Sequence, residues 1–178
     1  MGGSLFRGSV TALCSLGLFD VIRPLLPEDT RALLDAPPAS PWIPRRHCDR
    51  IFQAVSDVRG PAGVRALVLT MSRETVGPIL LPVIKTVFAV MSPSPVSFFR
   101  RLDVITRPQF KGSTFKYEAA GAKEGFVSVT QDCVVDALGW FAWDCAFEFM
   151  FELCRVSGTV HGMPAVDGKS CRFWVHWT

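Results

Sequence analysis

Residues 134–156 read VVDALGWFAWDCAFEFMFELCRV, and this stretch decides the fold that we predict for the whole chain. Asp144, Glu148 and Glu152 recur every four residues, so in a helix they form one narrow acidic stripe. Almost every other side chain in the stretch is aromatic, aliphatic or sulfur-containing. A helix this apolar must be covered over most of its circumference. We therefore expect a sheet on one side of it and other helices or a ligand on another.

Short β-prone runs lie on both sides of this helix in the sequence. They cover residues 113–118, 125–130, 158–161 and 171–177, and the last run alternates between polar and apolar side chains. Helical patterns dominate the chain before residue 106. This order predicts the α+β class, with N-terminal helices followed by a small antiparallel sheet on which the long apolar helix packs. We expect a single domain over residues 1–178, with a helical part to about residue 105 and a strand-helix-strand part over about residues 106–178.

The composition argues against two kinds of partner. With 49% hydrophobic residues the chain is unusually apolar, yet no run reaches the roughly 20 apolar residues that a membrane-spanning helix needs. The net charge of +3 is small and scattered, which argues against nucleic acid. We interpret the basic doublets Arg45-Arg46 and Arg100-Arg101 as solvated ends of elements. The first residues, MGGSLFRG, lack the pattern of a signal peptide, so we expect a cytoplasmic location.

The six cysteines do not indicate a metal site. They could in number form three disulfides, but thiols stay reduced in a cytoplasm. No two of them have the C-x-x-C spacing of a metal knuckle or a redox site. We therefore predict that they are small buried hydrophobic residues and that no metal is bound.

The order and spacing of these segments resemble the haem nitric-oxide/oxygen-binding (H-NOX) fold and the related fold of 4-vinyl reductase domains and TRAPP subunits. The resemblance is carried by an N-terminal Phe-Arg-Gly (residues 6–8), a proline-bounded helix before residue 113, the helix after residue 130, and a terminal Cys-x-Phe-x-Val-x-Trp strand (residues 171–177). The sequence is also similar to a myxobacterial paralogous family of unknown function. The resemblance implies a pocket enclosed by helices and sheet.

The residues that would hold a haem in the resembling H-NOX proteins are missing. There, a histidine on the helix before the first strand ligates iron, and a Tyr-x-Ser-x-Arg motif in the second strand holds the propionates. Here the corresponding helix reads SFFRRL (97–102) and the strand reads FVSVTQ (126–131). Iron needs an axial donor, and propionates need cationic or hydrogen-bonding partners. We therefore predict no haem and no other cofactor, while the pocket persists.

The resemblance places eight apolar residues around the ligand cavity. They are Phe88, Met91, Phe98, Phe99, Trp140, Trp143, Phe147 and Met150. Such residues are ordinary core by default, but this set lies on the segments that surround the cavity in the resembling folds. A small apolar molecule is therefore the predicted ligand.

Three interpretations of function stay open. The first is a small hydrophobic-ligand-binding or sensor domain that signals through a partner surface. The second is a small biosynthetic enzyme, such as a cyclase, dehydratase or isomerase, acting on a polyketide-like substrate. Its candidate acid-base groups are Asp144, Glu148 and His161, since burial among aromatic rings raises the pKa of a carboxyl group; a solvated acidic edge is the alternative. The third is a homodimer formed through the apolar helix.

Overall fold

The computed structural model describes residues 1–37, 40, 42–88, 94–107 and 109–178, and for residues 75–88 it describes the backbone alone. Two compact units make up the chain, Met1–Pro78 and Ile79–Thr178. Two short helices before the sheet belong to the second unit. The helical part to about residue 105 and the strand-helix-strand part after it stay a prediction as domain parts.

The first unit is helical. Its elements are α1 (Gly3–Ser15), α2 (Phe19–Ile22), a 3₁₀ turn (Arg23–Leu25), α3 (Glu28–Asp35) and the first part of α4 (Arg46–Phe88). α4 is broken at Gly60, whose φ of 65° lies in the left-handed region that glycine adopts without a Cβ penalty. In the interior, Nδ1 of the buried His47 lies 2.9 Å from the hydroxyl oxygen of the buried Thr30. This imidazole therefore has a hydrogen-bond partner inside the first unit.

The second unit contains a four-stranded antiparallel sheet and one long helix. Its elements are α5 (Pro95–Phe99), α6 (Leu102–Thr106), β1 (Ser113–Ala119), β2 (Glu124–Gln131), α7 (Ala137–Cys154), β3 (Gly158–Pro164) and β4 (Ser170–Trp177). The strand order is β1-β2-β4-β3, and every neighbouring pair is antiparallel. This arrangement confirms the predicted α+β class.

Local signals set the two ends of α7. The carboxylate of Asp136 accepts a hydrogen bond of 2.7 Å from the backbone N–H of Gly139, which satisfies one of the free amides of the first turn. At the other end Arg155 adopts the left-handed conformation, with φ of 56°, that closes many helices. The helix therefore begins and ends within the predicted segment 134–156.

The sheet has one buried face and one outward face, as the period of two requires. The buried face consists of Val127, Val129, Cys171, Phe173, Val175 and Trp177, each no more than 5% exposed. Arg172 and Trp174 alternate with them and point outward, and His161 is exposed on the neighbouring strand β3. α7 packs on the buried face, where the rings of Phe147 and Phe173 meet edge to face.

Glycines on β3 let α7 approach the sheet closely. Gly158, Val160 and Gly162 lie on the inner side of β3. A Cβ at Gly158 would overlap the ring of Phe151, and a Cβ at Gly162 would lie 3.0 Å from both Asp144 Oδ1 and the ring of Phe173. Residues of α7 therefore occupy the space that side chains would otherwise fill.

α7 is enclosed on most sides. Its buried residues are Gly139, Trp140, Ala142, Trp143, Cys145, Phe147, Phe149, Met150, Phe151 and Cys154. Cys145 and Phe147 project in nearly opposite directions from a helix, yet they are only 0% and 1% exposed. The expectation that so apolar a helix must be covered over most of its circumference therefore agrees with its burial.

Among the described residues, no single helix has the length and apolar character needed to cross a membrane, although α1 and the segment Phe19–Leu25 meet the same criterion together, as a pair bent by 108°.

Replacement of Gly158 by Ala should lower the free energy of unfolding by ~1–3 kcal/mol, because the added methyl group would force α7 away from β3. Chemical denaturation followed by circular dichroism measures the change. Gly121→Ala is the matched control, since a Cβ there would meet only the Glu124 side chain, at 3.1 Å, in the loop between β1 and β2. Equal losses in the two variants would contradict close packing of α7 on β3.

Candidate functional site

An aromatic cluster lies between α5, α7 and the buried face of the sheet, and Phe99 is at its centre. The Phe99 ring stacks on Tyr117 of β1, with centroids 5.7 Å apart. It meets Phe147 and Phe151 of α7 edge to face, at 6.0 and 5.8 Å. Trp177 of β4 lies 6.4 Å away. α5 therefore inserts one phenyl ring among side chains from α7 and two strands.

The cluster continues toward the start of α7 through Trp143. The Trp143 ring lies 5.7 Å from Phe147, 5.2 Å from Phe115 of β1 and 4.6 Å from Phe110. Trp140 joins it through Phe173, whose ring is 6.1 Å away. We call the whole set the aromatic cluster; it comprises Phe99, Phe110, Phe115, Tyr117, Trp140, Trp143, Phe147, Phe151, Phe173 and Trp177.

Several of the ligand-contacting residues predicted from the sequence meet in this cluster. Phe99, Trp143 and Phe147 contact one another in a chain, and Trp140 is connected to them through Phe173. Phe98 and Met150 are also buried. The side chain of Phe88 and the whole of Met91 lie outside the described residues.

Sequence reasoning missed Phe151 and Trp177, both of which contact Phe99, as Tyr117 does. For the strand residues a signal was present: alternation places Phe115 and Tyr117 on one face of β1, and Phe173 and Trp177 on one face of β4. Phe151 lies four residues after Phe147 and so on the same side of α7.

Polar atoms are buried in the same region without partners. Among the described residues, the Tyr117 hydroxyl, Trp140 Nε1, Gln131 Nε2 and Asp144 Oδ1 are inaccessible and make no hydrogen bond. Burial raises the pKa of Tyr117, while the positive charge of Arg100 opposes that shift. A buried hydroxyl with no partner costs about 1–3 kcal/mol, so each such group calls for a ligand or a water molecule.

The acidic stripe of α7 is not uniform. Glu152 is exposed and Glu148 is half-buried, whereas Asp144 lies against Gly162 of β3. Burial raises the pKa of Asp144 to about 6; the charge of His161 and the Gly162 amide lower it, and the Glu148 charge raises it. His161 itself is exposed. Asp144, one of the three predicted acid-base candidates, is thus a half-buried carboxyl group whose pKa is raised toward neutrality.

The cysteines near this site are not nucleophiles. Burial raises the pKa of Cys171 to about 12 and that of Cys154 to about 11, so both thiols stay protonated at neutral pH. Within the described part of the chain, no group of three or more His, Cys, Asp or Glu side chains could hold a metal ion.

Comparisons with known proteins identify a fold. No model of a known protein family and no curated protein matches the chain. A solved Fe(II) unliganded H-NOX protein from K. algicida is 13% identical, with a TM-score of 0.71 and coverage of 100% of this chain and 97% of that one. An oxygen-binding H-NOX domain related to soluble guanylate cyclases is 14% identical, with a TM-score of 0.65 and coverage of 100% and 95%. A structure concerned with haem distortion in the H-NOX family is 13% identical, with a TM-score of 0.68 and coverage of 100% and 95%.

The predicted H-NOX-like fold is therefore confirmed. The similarity to 4-vinyl reductase domains, to TRAPP subunits and to a myxobacterial family of unknown function stays a prediction, as does the cytoplasmic location.

The residues of this chain do not fit a haem held through an imidazole on α5. That helix buries Phe98 and Phe99, each 1% exposed, and a phenyl ring has no donor atom for iron. The chain has three histidines. His47 belongs to the first unit, and His161 and His176 alternate with the inward residues of β3 and β4. The imidazoles of His161 and His176 therefore point away from the inner face of the sheet.

The variant Asp144→Asn should be more stable than the parent at pH 7.5 and equal to it near pH 4. The folded pKa of about 6 exceeds the ordinary value of 3.8, so the folded state binds the proton more tightly. The contribution of Asp144 to the free energy of unfolding is therefore most favourable at low pH, and it decreases as the pH rises from about 4 to 6. Solvent screening at this half-buried group reduces the expected gain at pH 7.5 to ~1 kcal/mol.

Thermal melts across this pH range measure the effect of Asp144→Asn. Glu152→Gln, an equivalent change at the exposed end of the same stripe, is the control. A gain for Asp144→Asn that is the same at pH 4 and pH 7.5 would show that the carboxyl group titrates normally.

Proposed function

We propose that the chain is a binding or sensor module for a small apolar molecule, which it receives in the aromatic cluster without haem ligation. One observation carries the proposal: Phe99 packs at the centre of the cluster while the Tyr117 hydroxyl beside it is buried without a partner. Ligand pockets for small molecules are commonly lined by aromatic and apolar side chains with a few polar groups that fix orientation. The cluster has this composition.

The aromatic cluster offers a ligand both apolar surface and hydrogen-bond donors. Its rings provide apolar surface, and each Å² of apolar ligand surface removed from water contributes about 25 cal/mol. The Tyr117 hydroxyl and Trp140 Nε1 supply a donor each, because both lie buried and unsatisfied. A ligand with an alkyl or alicyclic body and one oxygen atom would use both kinds of surface.

The likeness of the fold to H-NOX structures supports this proposal by analogy alone, because identities of 13–14% carry no residue-level information. The solved relatives are described as haem or oxygen-binding proteins, whereas α5 here presents Phe98 and Phe99. We infer that the pocket of the fold is retained and that its occupant has changed. Output to a partner protein then completes the sensor role.

A second candidate function, a small acid-base enzyme such as a dehydratase or isomerase, is favoured by Asp144. A half-buried carboxyl group with a pKa of about 6 can both donate and accept a proton near neutral pH. Incubation with a β-hydroxyacyl thioester, followed by mass spectrometry, tests this candidate. Loss of one water per molecule with the parent chain, and none with Asp144→Asn, would favour the enzyme over the sensor.

The binding proposal predicts that purified protein binds dodecanol at one site. Trp143 and Trp177 belong to the aromatic cluster, so a tryptophan fluorescence titration reports occupancy. Tyr117→Phe removes only the unpartnered hydroxyl. This variant should bind dodecanol about five-fold more weakly, as the loss of one neutral hydrogen bond implies. Val104→Ala, at an exposed position on α6, is the control.

Hemin provides the counter-test in the same preparation. Titration should produce no stoichiometric Soret band, because α5 has no imidazole. Failure of dodecanol to saturate the fluorescence change, or a one-to-one haem complex, would overturn the proposed function.

A further inference from the structure

An open cleft of about 440 Å³ lies along α5, and its lining is polar and cationic on one side. Ser94, Val96, Ser97, Arg100 and Arg101 line it. All five belong to the second unit, which also contains the aromatic cluster. We call this feature the α5 cleft.

The serines form a fixed part of the cleft wall. The Ser94 hydroxyl accepts a hydrogen bond of 3.2 Å from the Ser97 backbone N–H, and the Ser97 hydroxyl accepts one of 3.3 Å from the Ser94 N–H. This reciprocal arrangement is a capping box, and Pro95 at the first helical position fixes the backbone further. Arg100 and Arg101 follow directly after the last residue of this capped helix.

The two guanidinium groups are available to an anion. Arg101 Nη1 donates one hydrogen bond, of 3.0 Å, to the Ser97 carbonyl oxygen. Neither Arg100 nor Arg101 forms an ion pair with a carboxylate among the described residues. By contrast, the neighbouring Arg107 is paired with Asp103 at 3.1 Å. Two adjacent positive charges thus face one cleft without a counter-charge from the described chain.

The cleft adjoins the aromatic cluster through consecutive residues of α5. Phe99 points into the cluster and stacks on Tyr117, and the next residue, Arg100, lines the cleft. The positive charge of Arg100 opposes the rise in the pKa of Tyr117 that burial causes. Val96 adds an apolar surface inside the cleft itself.

We propose that the α5 cleft binds the carboxylate of an amphipathic ligand whose apolar chain enters the aromatic cluster. The proposal rests on the function proposed above and names its ligand class: a long-chain or alicyclic carboxylic acid rather than a neutral lipid. A guanidinium group binds a carboxylate through paired, charge-assisted hydrogen bonds, which a neutral hydroxyl group cannot reproduce. The Tyr117 hydroxyl would donate to the same headgroup.

The test compares dodecanoate with dodecanol, which share one alkyl chain and differ in headgroup charge. Fluorescence titrations at pH 8 and low salt should give dodecanoate about ten-fold tighter binding in the parent chain, as a charged hydrogen bond implies. The double variant Arg100→Gln/Arg101→Gln should lose this preference and bind both ligands as the parent binds dodecanol. Arg107→Gln removes an exposed guanidinium outside the cleft and should keep the preference.

Arg101 supports α5 through its bond to Ser97, so the double variant could unfold this helix. The single variant Arg100→Gln is therefore tested as well, because Arg100 is exposed and its replacement leaves the Arg101–Ser97 bond in place. This variant should lose most of the preference for dodecanoate over dodecanol. Equal affinity of the parent chain for both ligands, or an undiminished preference in Arg100→Gln and in the double variant, overturns the carboxylate assignment and leaves the apolar-ligand function standing. Failure of the parent to bind either ligand overturns both.

Discussion

The enclosure of α7 is the constraint on which the rest of the structure depends. Ten of its residues are buried, and the acidic residues Asp144, Glu148 and Glu152 belong to the part that is half-buried or exposed. Burial of a large apolar side chain contributes about 1.5–3 kcal/mol, so exposure of several such residues would outweigh the stability of a typical domain. The sheet supplies the cover on one side, and Gly158 and Gly162 on β3 allow the close approach that this cover requires.

The candidate site follows from the same packing. Because α7 lies against the sheet, its rings meet those of β1 and β4, and α5 adds Phe99 at the centre. Close packing also traps the polar atoms of Tyr117, Trp140 and Asp144 away from water. A region with this much apolar surface and this few polar groups is suited to molecules that are poorly soluble in water. The adjacent arginines of α5 supply the charge that the cluster lacks.

The fold could be predicted from the sequence because α7 and the strands have clear periods. The helix ends within residues 134–156, and the strands differ from the predicted runs mostly by one or two residues, with β3 three residues longer. The site could be predicted only in part. Asp144, Glu148 and Glu152 are equivalent in the sequence, and their different burial depends on Gly162 across the helix-strand contact. Likewise, the sequence alone indicates a solvated doublet at Arg100 and Arg101, because no sequence pattern reveals that both line one cleft.

The central claim, that an apolar ligand enters the aromatic cluster, is tested most directly by intermolecular nuclear Overhauser effects. These would be measured between unlabelled dodecanoate, which carries its ordinary ¹H atoms, and isotope-labelled protein. The account predicts contacts from the ligand methylenes to the rings of Phe99, Tyr117 and Phe147. Contacts confined to the outward face of the sheet, at Trp174 and Phe126, would show that the ligand binds outside the cluster and would contradict the account.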